Sequence, residues 1–161
     1  MKNASLTPRA HLIEVGSTAP DFTLGTQDRA DWKLSEHLKR GDVVLSFVPF
    51  AFTGTCSTEM KCISDDVASW TKKSAAVVGI SCDSAFANKA WAEKEHYTHT
   101  LLSDTFRDVC KAYGLYWADL NVANRGTVVI GGSESGIGSV KFAQSRPPSQ
   151  AMDWKTLLAA L

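Results

Sequence analysis

The sequence has no long apolar run, no surplus of either charge and no close pair of cysteines. No window approaches the roughly 18 consecutive apolar residues that a membrane-crossing helix needs, so no membrane role is expected. Lys and Arg number 17, and Asp and Glu also number 17. With no net field and no block of like charge, nothing points to nucleic acid or anionic lipid. The opening residues MKNASLTPRAH carry no apolar core after the lysine, so no secretory leader is expected and a cytoplasmic location is. In that compartment the 4 cysteines are expected to be reduced, catalytic or packing thiols rather than a disulfide framework. Proline is scarce: there are 5, and none stands between Pro49 and Pro147. Repeats and low-complexity tracts are absent. The Pro-rich SRPPSQ, Ser145 to Gln150, falls too late to divide the chain, so residues 1–161 are expected to form one domain.

What is present alternates. Val43–Val48 (VVLSFV), Ala75–Ile80 (AAVVGI) and Thr127–Ile130 (TVVI) are almost wholly apolar, the pattern of strands buried on both faces. Gly131 to Gly138 offers turn chemistry, after which Val140, Phe142 and Gln144 alternate as a hairpin partner would. Between these lie helical patterns. Met60, Ile63, Val67 and Trp70 share one face, as do Phe86, Ala90 and Trp91, with Asp83 or Ser84 as N-cap. Phe106, Val109, Cys110 and Tyr113 form a third stripe ending at Gly114, and Trp154, Leu157, Leu158 and Leu161 a last one. Strands alternating with helices predict an α/β layered domain.

The stretch PFAFTGTC places Cys56 where a buried strand has ended and a helix begins. Its sulfur is expected near unpaired backbone N–H groups and the positive end of the helix dipole, which favour thiolate over thiol. A buried, inert cysteine is the ordinary alternative. The surroundings argue against it: Thr53 can aim a hydroxyl at whatever the sulfur attacks, and Pro49, with no N–H and a fixed φ, stiffens one wall.

Pro49, Thr53 and Cys56 match the P-x-x-x-T-x-x-C motif, and by it the chain resembles the peroxiredoxins. GSTAPDFTL (Gly16 to Leu24), VVGISCDSAFANKAWAE (Val77 to Glu93), LLSDTFRDVCKAYG (Leu101 to Gly114) and NRGTVVI (Asn124 to Ile130) extend the likeness. The local wording is nearest to the alkyl hydroperoxide reductase E and bacterioferritin comigratory protein types. The resemblance implies a thioredoxin-like fold, a central mixed β-sheet flanked by helices, and reduction of hydroperoxides without metal or organic cofactor. It makes Cys56 the peroxidatic nucleophile, Thr53 the residue that orients the peroxide, Arg125 the cation that activates both, Glu59 the holder of Arg125, and Pro49 the shield. It also implies an external thiol reductant, whether thioredoxin-like, glutaredoxin-like or a small thiol, and a homodimer.

Oxidation would leave a sulfenic acid that needs a second thiol. Cys110 lies on an apolar stripe and Cys82 follows a buried strand, so both are expected to pack. Cys62 is off the stripe and should be partly exposed, but six residues of helix rise about 9 Å, beyond the reach of a disulfide. A one-cysteine mechanism is expected, with Cys62 as the alternative resolver. Other readings are weaker. A thioredoxin-type oxidoreductase needs a cysteine where Glu59 stands. A metal site built on Cys56, Cys62, His96 and His99 lacks a C-x-x-C pair, and both histidines are expected at the surface. A peroxide sensor using the same Cys56 chemistry is not distinguished by sequence.

Overall fold

A computed structural model describes residues 3–161. Its strands are β1 (Thr23–Thr26), β2 (Asp31–Lys33), β3 (Asp42–Phe47), β4 (Ala75–Ser81), β5 (Thr100–Ser103), β6 (Tyr116–Trp117), β7 (Val122–Ala123), β8 (Gly126–Ile130) and β9 (Val140–Ser145). The helices are α1 (Leu34–Leu38), α2 (Gly54–Asp65), α3 (Val67–Lys72), α4 (Ala85–Glu95), α5 (Asp108–Ala112) and α6 (Trp154–Ala160). Seven strands form one mixed sheet in the order β2-β1-β5-β4-β3-β8-β9, with β4 parallel to β3 and β5 and β8 antiparallel to β3. The three apolar runs expected as strands are therefore its centre, and the expected hairpin is β8–β9, Thr127 opposite Gln144 and Val129 opposite Phe142.

Strand periodicity divides the interior into two layers, because successive side chains point to opposite faces. Val43, Leu45 and Phe47 of β3 join Val78, Ile80, Val128 and Ile130 on one face. Val44 and Val48 face the other way, with Val77, Val129, Met60, Ile63 and Trp91. Helix α2 lies on this second face, close to β4. A Cβ added at Gly79 would stand 2.5 Å from Met60 Sδ, so glycine there permits the approach.

Several helical expectations are corrected. The stripe from Met60 to Trp70 is not one helix: α2 ends at Asp65 and α3 starts at Val67, with Asp66 between them off helical geometry at φ −104° and ψ 12°. On α4 the buried side is Asn88, Trp91 and Ala92, whereas Phe86 and Ala90 are exposed. Ser84 is its N-cap, its Oγ accepting from Ala87 N–H at 3.2 Å, and Asp83 is used elsewhere. Phe106 lies outside α5, in the turn that Arg107 N–H closes on the Asp104 carbonyl at 2.9 Å, and is 62% exposed. His99, expected at the surface, is 6% exposed. Ser64 Oγ lies 2.6 Å from its Nδ1 and Met60 Sδ 3.4 Å from its Nε2. Among the described residues, no helix is long and apolar enough to cross a membrane.

Candidate active site

The loop from β3 to α2 is held at both ends. Val48 N–H donates to the Ile80 carbonyl at 2.9 Å, and Ala51 N–H donates to Asp83 Oδ2 at 2.9 Å. Pro49 is buried between these anchors, and Phe52 takes a left-handed φ of 64°, a conformation uncommon outside glycine. Thr53 follows as the N-cap of α2 in extended geometry, but its hydroxyl caps nothing. Its Oγ1 donates instead to the Phe50 carbonyl at 3.0 Å. Thr53 is exposed, so its oxygen lone pairs remain able to accept a hydrogen bond from a ligand.

Cys56 is the third residue of α2 and 1% exposed. Arg125 and Glu59, expected beside it, are there. Arg125 donates through Nη2 to Cys56 Sγ at 3.0 Å and through Nη1 to Glu59 Oε2 at 2.7 Å, while its Nε donates to the Pro148 carbonyl at 2.9 Å. Three donors of one rigid fork are thus committed, which sets the guanidinium plane against the sulfur. Glu59, one turn along α2, is fully buried and also accepts from Ser46 Oγ at 3.1 Å.

Arg146 completes the cluster and was not anticipated, because its segment read as a connector. Its Nη2 donates to Glu59 Oε1 at 2.9 Å, and it is 5% exposed. Burial draws it below the ordinary guanidinium range, opposed by Glu59. The hairpin explains its position. Gly126 faces Ser145, and Arg146 N–H donates to the Arg125 carbonyl at 2.9 Å, so the two arginines are the next opposed pair. Cross-strand partners share a face, and so do residues two apart, which places Arg125, Thr127 and Val129 with Phe142, Gln144 and Arg146. The alternation of Phe142 and Gln144, continued by one step, is the available signal; Val140 does not share it, because a bulge sets it opposite Ile130 in the other layer. Ser46, two beyond Val44, reaches Glu59 by the same rule.

One carboxylate thus stands between two guanidinium groups. A thiolate at Cys56 brings these four groups to neutrality, where a neutral thiol leaves one buried positive charge uncompensated. The start of α2 is tied to α4 and to the segment after it: Trp91 Nε1–H, in α4, donates to Ser57 Oγ, and Tyr97 O–H, just past α4, to the Ser57 carbonyl, each at 3.1 Å. Burial, more than any other influence, pushes Tyr97 up to about 12, so its hydroxyl keeps its proton as a donor.

Cys62 lies on the same unbroken helix as Cys56 and is exposed, as expected. Partial burial, then Asp65 and Asp66, pushes its thiol above the ordinary range. Cys82 and Cys110 are buried, as expected, but in the layer on the opposite face of the sheet from Cys56. The four residues of the alternative metal reading do not gather: His99 is turned into the core, and none of the four is in the cluster of metal-ligand type found among the described residues.

The chain matches the AhpC/TSA family over residues 15–135. It is 36% identical over 155 residues to alkyl hydroperoxide reductase E of Mycobacterium tuberculosis, covering 93% of this chain and 99% of that protein. To the chloroplastic 2-Cys peroxiredoxin BAS1 of Hordeum vulgare it is 32% identical over 126 residues, 72% of this chain and 60% of that one. Its structure is similar to the crystal structure of peroxidoxin BcpB from Mycobacterium tuberculosis, with a TM-score of 0.81, 30% identity and coverage of 92% and 96% of the two chains.

Proposed function

Because the chain belongs to the AhpC/TSA family of peroxiredoxins, we propose that it is a thiol-dependent peroxidase whose nucleophile is Cys56. The observation that carries the assignment is Arg125 Nη2 at 3.0 Å from Cys56 Sγ, inside a buried ion cluster. Hydrogen peroxide and organic hydroperoxides are the substrates. The thiolate attacks one peroxide oxygen, a sulfur–oxygen bond forms, the O–O bond breaks, and the leaving oxide takes a proton. Negative charge moves from sulfur to the leaving oxygen, so a fixed cation beside that line acts most in the transition state. Arg125 supplies it, Glu59 and Arg146 position Arg125, and Thr53 at the loop mouth orients the peroxide. Pro49, buried at the end of β3, shields the sulfur. Cys56→Ser should abolish peroxide turnover with an added thiol reductant, and retained turnover would sink the assignment.

The cycle we infer is of one-cysteine type, closed by an external thiol: a thioredoxin-like or glutaredoxin-like protein, or a small thiol. Two features support it. Cys62 could reach Cys56 only if α2 unwound and the bonds from Trp91 and Tyr97 to Ser57 were lost. As an elevated thiol, Cys62 would also present little attacking thiolate at neutral pH.

Residues 1–161 are proposed to work as one domain, in the cytoplasm, where the free state of all four cysteines is the stable one. We further infer a homodimer. Its support is the pair of exposed rings Phe86 and Phe106, 70% and 62% accessible, lining a groove of about 510 Å³ away from Cys56. Sedimentation equilibrium of the whole chain and of Phe86→Ser tests this: a dimer weakened by the substitution is expected, and a monomeric wild type would overturn it.

A further inference from the structure

Two cysteines that the peroxidase reading leaves unused lie together. Cys82 directly follows β4 and Cys110 is in α5; their sulfurs and a carboxylate oxygen of Asp104 all lie within 4.8 Å of one another, and all three residues are buried. Asp104 is occupied structurally, its carboxylate accepting the N–H groups of Val109 at 3.2 Å and Cys110 at 2.8 Å at the start of α5. Of the two sulfurs, Cys110 Sγ donates to the Arg107 carbonyl at 3.5 Å. Bringing them from within 4.8 Å to a bond of about 2.0 Å is a movement of the size that a change of χ1 well gives a cysteine sulfur.

We propose that Cys82 and Cys110 form a second oxidisable centre, a dithiol that hydroperoxide converts to an intramolecular disulfide independently of Cys56. Cys82 is the attacking group. It is the more accessible of the two, 7% exposed against 0% for Cys110. Cys82 sulfur attacks one oxygen of the hydroperoxide, the O–O bond breaks, and the alkoxide leaves as the alcohol after taking a proton. The Cys82 sulfenic acid then condenses with Cys110, the S–S bond forms and water departs. Two thiols lose two electrons and two protons, and the hydroperoxide gains them.

Burial does not set this pair apart from Cys56, since Cys82 is 7% exposed and Cys56 is 1%. A closed zinc site is the competing use of such a cluster, but it needs four ligands. Among the described residues the cluster offers three, and both Asp104 oxygens already accept backbone donors.

The test needs no contribution from the Cys56 reading. Trypsin separates the thiols, leaving Cys62 in residues 62–72, Cys82 in 74–89 and Cys110 in 108–111. The full-length Cys56→Ser chain, exposed to excess hydrogen peroxide, alkylated and mapped without reduction, should yield 74–89 joined to 108–111 with two hydrogens lost. Adding Cys110→Ala should abolish the link and leave a trappable sulfenic acid on Cys82. Full alkylation of both peptides after that exposure would overturn the proposal. The wild-type chain gives the same map should Cys56→Ser fold poorly.

Discussion

Arg146 reaches back 87 residues to Glu59, its Nη2 standing 2.9 Å from Oε1 with both side chains buried. The contact gives Glu59 a second guanidinium and makes Arg125 one half of a symmetric clamp. Each arginine holds a different carboxylate oxygen, so Glu59 has little freedom to turn, and Arg125 has little freedom to swing off Cys56.

Arg146→Met should slow the peroxide step by about tenfold and destabilise the fold by about 1–3 kcal/mol, as loss of a charged hydrogen bond does. Because Arg146 acts through Glu59 and Arg125, Arg146→Lys should restore much of the rate. Stopped-flow oxidation beside urea melts measures both. An unchanged rate in Arg146→Met at reduced stability would leave Arg146 a purely structural residue.

Arg125→Ala should lower the second-order rate with hydrogen peroxide by about 10²–10³, the usual cost of removing one preorganised donor. Arg125→Lys keeps the charge but not the fork, which spans Glu59 and Cys56 simultaneously, so its rate should fall between the two. A Lys variant at the wild-type rate would show that charge alone suffices.

Cys62→Ser should leave turnover with an external thiol within about twofold of the wild type, the direction a one-cysteine cycle requires. Steady-state assays with a small thiol and with a thioredoxin system check it. A drop of tenfold or more would make Cys62 the resolving thiol and require α2 to open in each cycle.

His99 supplies a pH dependence. Burial lowers it from 6.5 to about 4, so between those values the unfolded chain binds a proton that the folded chain does not. Its contribution is full above pH 6.5 and is lost as pH falls toward 4. At the limit the loss is on the order of 3 kcal/mol. Urea melts of wild type and His99→Gln from pH 4 to 7 should converge as the pH drops, and parallel curves would contradict this origin.

Most of the central sheet was legible because β3, β4 and β8 are apolar on both faces, a pattern few other elements share. Short edge strands such as Thr23–Thr26 and Asp31–Lys33 carry too few residues to show a period. Spacing alone puts Phe86 and Phe106 on buried stripes, but both rings are exposed, and α4 buries Asn88, Trp91 and Ala92 instead. The sequence around His99 is polar, while the groups that bury it, Met60 and Ser64, come from α2, more than 30 residues away. At the site, Pro49, Thr53, Cys56 and Glu59 sit within a few residues of one another, and Arg125 was placed through family resemblance. Arg146 and Ser46 owe their positions to strand parity and pairing register, which local composition does not express.

Under the proposed function, Cys56 Sγ is the atom that peroxide oxidises first. One equivalent of hydrogen peroxide added to the wild-type chain with a sulfenic-acid trap present, followed by tryptic mapping, tests it directly. The trap mass should appear on residues 41–61, which contain Cys56 and no other cysteine. An adduct confined to another cysteine peptide, with 41–61 unmodified, would contradict the account.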